Sequence, residues 1–147
     1  MRLSVLAFGA AVLAAVPLVA VPAHAAVPKV QITQIRYNSP GPDRGGNASL
    51  NAEYIRFKNT TRKPIDLTGW TLRDNAWRYT FENVVLRPGK TITLHSGRGR
   101  DSTSHLYWGR RWYVWNNDKD VARLEDADGR LVDKCSYSNR YRDRVTC

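Results

Sequence analysis

The stretch from Glu53 to Asp74, EYIRFKNTTRKPIDLTGWTLRD, limits most what this chain can fold into. From Glu53 to Lys58 apolar and polar residues alternate: Ile55 and Phe57 share one side, and Tyr54, Arg56 and Lys58 the other. A period of two belongs to a strand with one buried face. Asn59-Thr60-Thr61-Arg62-Lys63-Pro64 breaks the pattern, because Asn and Thr bond locally to backbone and Pro64 lacks a donor. Ile65 and Leu67 resume it, and Gly69-Trp70 leads into a further run ending at Arg73. Two short strands with a large aromatic form the start of a sheet core. Trp70 is therefore expected to pack inward rather than serve as a ligand platform.

The rest of the chain reads the same way. Val30 to Tyr37 is a strand whose apolar phase slips between Ile32 and Ile35, which predicts a bulge near Thr33-Gln34. Asn38 to Leu50, with its Pro and Gly residues and Asn47, reads as loop. Tyr79-Thr80-Phe81, Thr91 to His95, Val121 to Glu125 and Arg130 to Tyr137 read as strands. Turns are expected at Asp74 to Arg78, Leu86-Arg87-Pro88-Gly89 and Asn116 to Asp120, and at Asp126-Ala127-Asp128-Gly129, where Asp-Gly signals a hairpin. Gly97 to His105 reads as loop. No helical periodicity or internal repeat is present. The reading is all-β: an immunoglobulin-like β-sandwich of about seven to nine short strands.

The motifs resemble a known family. Asn59, the run Asp66-Leu67-Thr68-Gly69-Trp70, Leu72 and Asp74 match the strand and DLSGW-type run of the lamin tail domain. Tyr79 to Phe81, Leu86 to Gly89, Leu94 to Gly97, Trp115 to Asp118 and Asp126 to Gly129 follow in the family's order. The resemblance covers roughly Val30 to Tyr137 and leaves out the last ten residues. It implies a non-catalytic immunoglobulin-like module that tethers to nucleic acid, protein or the cell surface.

The N-terminus reads as an address. Arg2, the apolar run Leu3 to Val21 and Ala23-His24-Ala25 have the layout of a cleaved signal peptide over residues 1–25. The mature domain is then 26–147, secreted, with no second apolar run long enough to span a membrane. The chain has 23 Lys and Arg against 13 Asp and Glu, a formal charge of +10. Such a surface favours anionic partners: nucleic acid, acidic polysaccharide or cell-wall polymer, bound non-specifically. In a secreted chain, Cys135 and Cys147 are expected to form a disulfide that pins the tail to the final strand.

Candidate binding residues form two groups. Leu106 to Trp115 interleaves aromatics with Arg110 and Arg111, and Arg98 and Arg100 lie just upstream. Guanidinium groups neutralise phosphate and aromatic faces stack on bases or sugars, so Arg98, Arg100, Arg110, Arg111 and Trp112 are the first group. Strand alternation would bury Tyr107 and some of the tryptophans. Arg140, Arg142 and Arg144 are the second, displayed together if the disulfide holds the tail. No metal or cofactor site is expected: a calcium loop from Asp126 would put Arg130 and Tyr137 at ligand positions. Of catalytic groups, His95, His105, Glu53, Glu82 and Glu125 are available, without a nucleophile motif. The expected function is a secreted, non-catalytic binding module for an anionic polymer or the cell surface. An extracellular protein-interaction domain comes second and a small hydrolase third.

Overall fold

Alternation and turn chemistry become eleven strands and one short helix in the computed structural model, which describes residues 26–147. In chain order they are β1 (Val30–Arg36), α1 (Asn47–Ala52), β2 (Tyr54–Asn59), β3 (Ile65–Asp66), β4 (Thr71–Arg73), β5 (Arg78–Thr80), β6 (Val85–Leu86), β7 (Thr91–His95), β8 (His105–Tyr107), β9 (Lys119–Glu125), β10 (Leu131–Ser138) and β11 (Arg144–Thr146). One sheet has five strands in the order β11-β1-β2-β7-β8, and the facing sheet four, in the order β10-β9-β4-β5. A two-stranded ribbon, β3-β6, flanks the β4-β5 hairpin in the chain. The predicted leader falls outside the described residues.

The alternation delivers the core. Ile55, Phe57, Ile92 and Leu94 from one sheet meet Leu72, Ala122 and Leu124 from the other, and all are buried. Trp70 is buried among them, as its position after Gly69 predicts. The bulge in β1 falls where the register against β2 shifts, between Ile32 and Gln34. Asn59 explains why the turn after β2 is so well marked. Its buried amide donates to the carbonyls of Lys63 and Leu86, and its Oδ1 accepts from Thr61. That side chain satisfies backbone groups that a sharp turn would otherwise leave unpaired.

Three expectations are corrected. The segment Asn38 to Leu50 is not all loop, since α1 begins at Asn47. Six residues are too few for an isolated helix. Here Asn47 and Asn51, one turn apart, both donate to the Arg98 carbonyl, and Asn47 Oδ1 accepts the Arg98 N–H. The aromatic-basic run is a strand only over His105–Tyr107, so His105 is not loop. Beyond it the chain turns at Gly109, at φ +75°, leaving Tyr107 only half-buried while Trp115 is buried. Finally, Arg130 to Tyr137 is not the last strand: the tail is pinned to it by the disulfide, as expected, but forms a strand of its own. It crosses to the other sheet and becomes β11, antiparallel to β1.

That crossing closes one side of the sandwich. The Cys135–Cys147 disulfide joins β10 to the residue after β11, with Cα atoms 5.9 Å apart. Ile32 N–H donates to Asp133 Oδ2 at 2.7 Å, a second link between the sheets. Tyr37 and Tyr137 stack face to face with centroids 3.9 Å apart. On the opposite side Tyr79 meets Trp108, and Trp108 meets Trp115, edge to face. Among the described residues no helix is long and apolar enough to cross a membrane.

Candidate anionic-polymer surface at one end of the sandwich

Strand direction decides where the loops gather. β1 ends at Arg36 opposite the start of β2, beside the start of β11. β7 ends at His95 next to Tyr54, and β10 ends at Ser138 next to the start of β9. The stacked pair Tyr37–Tyr137 shows that these ends coincide in the two sheets. The segments 38–53, 74–77, 96–98, 108–118 and 139–143 therefore meet at one end, called here the Tyr37 end. Members of both groups of candidate arginines, Arg98, Arg110, Arg111, Arg140 and Arg142, are brought to it, although about thirty positions separate Arg111 from Arg140.

The loop 108–118 is anchored through a buried carboxylate. Glu53, fully buried, accepts the Val114 N–H at 2.9 Å on one oxygen and the Trp115 N–H at 3.0 Å on the other. Burial pushes its pKa up to about 7, against the lowering effect of the hydrogen bonds it receives. Tyr113 Oη is 2.7 Å from Ser49 Oγ, and Asn117 donates to Asp43, which ties the loop to the segment around α1. Trp112 lies across Gly45, where a Cβ would come within 2.7 Å of the indole ring. Gly45 also has φ +72°, so only glycine suits this contact.

The candidates divide by exposure and pairing. Trp112 is 58% exposed and Arg111 is exposed beside it. Arg110 is half-buried, its guanidinium 3.6 Å from the centroid of Trp77, a residue that sequence reasoning missed. Trp77 is 41% exposed and is set by Asp74, whose buried carboxylate accepts the Ala76 and Trp77 N–H groups. The Asp-x-x-Trp spacing was the available signal: an Asp-initiated turn puts its third residue outward. In the tail, Arg140 lies over the ring of Tyr141 at 5.4 Å, and Tyr141 is 86% exposed. Arg142 is exposed, whereas Arg144 is part of β11 and pairs with Asp143 at 2.8 Å. Asp143 also pairs with Arg36. Arg98 is exposed at this end. Arg100 lies further along, towards the β8 side.

Salt bridges sharpen the division. Among the described residues the paired arginines are Arg36, Arg73, Arg130 and Arg144, three of them on strands. Arg98, Arg111, Arg140 and Arg142, all on the end loops, have no carboxylate partner there. The three glutamates among the catalytic candidates do not converge. Glu53 holds a loop, Glu125 is bound to Arg73 at the far end of β9, and Glu82 is exposed. Asp126 is a turn residue, its Oδ1 accepting the Asp128 and Arg130 N–H groups.

A two-sheet sandwich, antiparallel except for the parallel pair β7-β8, has the architecture of an immunoglobulin-like binding module. Residues 23–139 match the Lamin Tail Domain family, and the chain belongs to it. The match ends before Arg140, so the tail that supplies β11 and Cys147 lies outside it. No curated protein matches the chain.

Proposed function

We propose that the chain is a secreted, non-catalytic tethering module that holds an anionic polymer at the Tyr37 end. One observation carries this reading. Among the described residues the three exposed aromatics, Trp77, Trp112 and Tyr141, all lie at that end among arginines without carboxylate partners there. Flat faces beside free guanidinium groups suit a chain of charged units with stackable faces. Among the described residues no helix carries a row of base-reading side chains, so binding follows charge and stacking rather than sequence. The leader over residues 1–25 supports secretion, and N-terminal sequencing of exported protein should begin at Ala26.

The test is a salt titration of binding to single-stranded DNA, duplex DNA, an anionic polysaccharide and a neutral glycan. Affinity for the anionic polymers should fall steeply with salt as counterions are recaptured. Replacing Trp112 by Ala should cost roughly 1–3 kcal/mol with little change in salt slope. Replacing Arg111 by Ala should flatten the slope by about one unit if it touches phosphate. Salt-insensitive preference for the neutral glycan would make this a carbohydrate-binding module instead. No binding to any of the four would leave the protein-interaction reading in front.

A further inference from the structure

The outer face of β7 and β8 carries a histidine pair that the tethering function does not use. His95 closes β7 and His105 opens β8, and His95 Nε2 is 2.9 Å from His105 Nδ1. The second nitrogen of His95, Nδ1, is 2.7 Å from the carbonyl oxygen of Asn51 in α1. A carbonyl can only accept, so Nδ1 carries the proton and Nε2 presents its lone pair. His105 Nδ1–H then donates to that lone pair. Tyr107 lies nearly parallel to His95, with centroids 5.0 Å apart, and restrains the ring. The His105 backbone is held by Ser102 Oγ at 3.0 Å while its side chain stays exposed to solvent.

We propose that His95 and His105 together bind a divalent transition metal ion that seeks imidazole, Cu²⁺ ahead of Ni²⁺ and Zn²⁺. A histidine oriented by donating its far N–H to a backbone carbonyl is how metal-binding imidazoles are fixed. His95 is already in that state, with a lone pair aimed at the second imidazole. On binding, the proton on His105 Nδ1 moves through water to its solvent-side Nε2, and the freed lone pair becomes the second ligand. Water fills the remaining positions, since no cluster of three metal-ligating side chains occurs among the described residues. Imidazole donors select copper, nickel and zinc over the oxygen-seeking Ca²⁺. Burial disfavours protonation of His95, and His105 and Arg56 act in the same direction. Arg56, lying over Tyr54 at 4.7 Å, also opposes a bound cation.

The experiment is calorimetric titration of the tag-free protein with CuCl₂ and, separately, CaCl₂ at neutral pH. Electron paramagnetic resonance of the copper-loaded protein accompanies it. Expected are binding of Cu²⁺, a spectrum with nitrogen coupling from two imidazoles, and no response to Ca²⁺. His105→Ala should weaken Cu²⁺ binding by at least the roughly 10–100-fold that losing an orienting partner costs. Arg56→Gln should tighten it. Unchanged Cu²⁺ affinity in a folded His105→Ala protein would overturn the site. So would a spectrum of the unaltered protein without two-imidazole coupling, or Ca²⁺ binding as strong as Cu²⁺ binding.

Discussion

The loop 108–118 and the tail 139–147 bring arginines to the same end of the sandwich, but they are fastened by different chemistry. The loop rests on one buried carboxylate, Glu53, that accepts two backbone N–H groups. The tail rests on a covalent bond, Cys135–Cys147, and on a three-residue ladder to β1. The first anchor answers to protons and the second to reductants. A surface assembled from both can therefore be taken apart in halves, and each half can be probed while the other stays in place.

The largest expected effect is on the tail. Replacing Cys135 and Cys147 by Ser should lower stability by about 3 kcal/mol, the chain-entropy value for a loop of this size. Amide exchange at Tyr37, whose N–H donates to the Asp143 carbonyl, should rise, while exchange at Val114 and Trp115 should not. Equal acceleration at both places would mean that the two anchors are one unit.

A smaller effect is expected at the loop. In Glu53→Gln an amide NH₂ must face one of the two backbone N–H donors, at a cost of roughly 1–3 kcal/mol. The pH dependence carries the sharper signature. Glu53 has a folded pKa of about 7, above the ordinary 4.5. The folded state therefore binds the extra proton between these values. Its contribution is full below about pH 4.5 and is lost as pH rises through 7. Denaturant melts at acid and neutral pH should show the gap between the two proteins narrowing as pH rises. Taking the difference cancels the opposite trend from His95, whose pKa is lowered mainly by burial. A gap that widens with pH would show that the ionised carboxylate is the better anchor.

The smallest effect concerns the Arg110–Trp77 contact that joins the loop to the facing sheet. Trp77→Ala should remove about 0.5–1 kcal/mol of cation–π attraction, as a double-mutant cycle with Arg110→Ala would measure. A coupling energy near zero would mean that Arg110 is held by its backbone bond to Ser96 alone.

Alternation along Glu53–Lys58 and Thr91–His95, the phase slip in β1 and the Asp-Gly hairpin were legible because each is a local pattern with a local cause. The Cys135–Cys147 pair was legible from the cysteine count and the expected secretion. The candidate surface was half legible. Arg111, Trp112 and Arg142 stand exposed, but Arg144 is drawn into β11 and paired, and Arg110 is stacked on Trp77. The helix α1 was hidden because its support comes from Arg98, some fifty positions away.

The sequence by itself determined the fold class, the inward faces of the long strands and the turns between them, since side-chain periodicity and backbone propensity act over a few residues. Only the tertiary structure decided that the tail joins the opposite sheet and that Glu53 is buried beneath the loop 108–118. It also decided that Trp77, Trp112 and Tyr141 share one end, and that His95 meets His105. Each of these depends on contacts between segments far apart in the chain. Burial, which sets the value of a hydrogen bond or the proton affinity of a carboxyl, exists only once those segments have met.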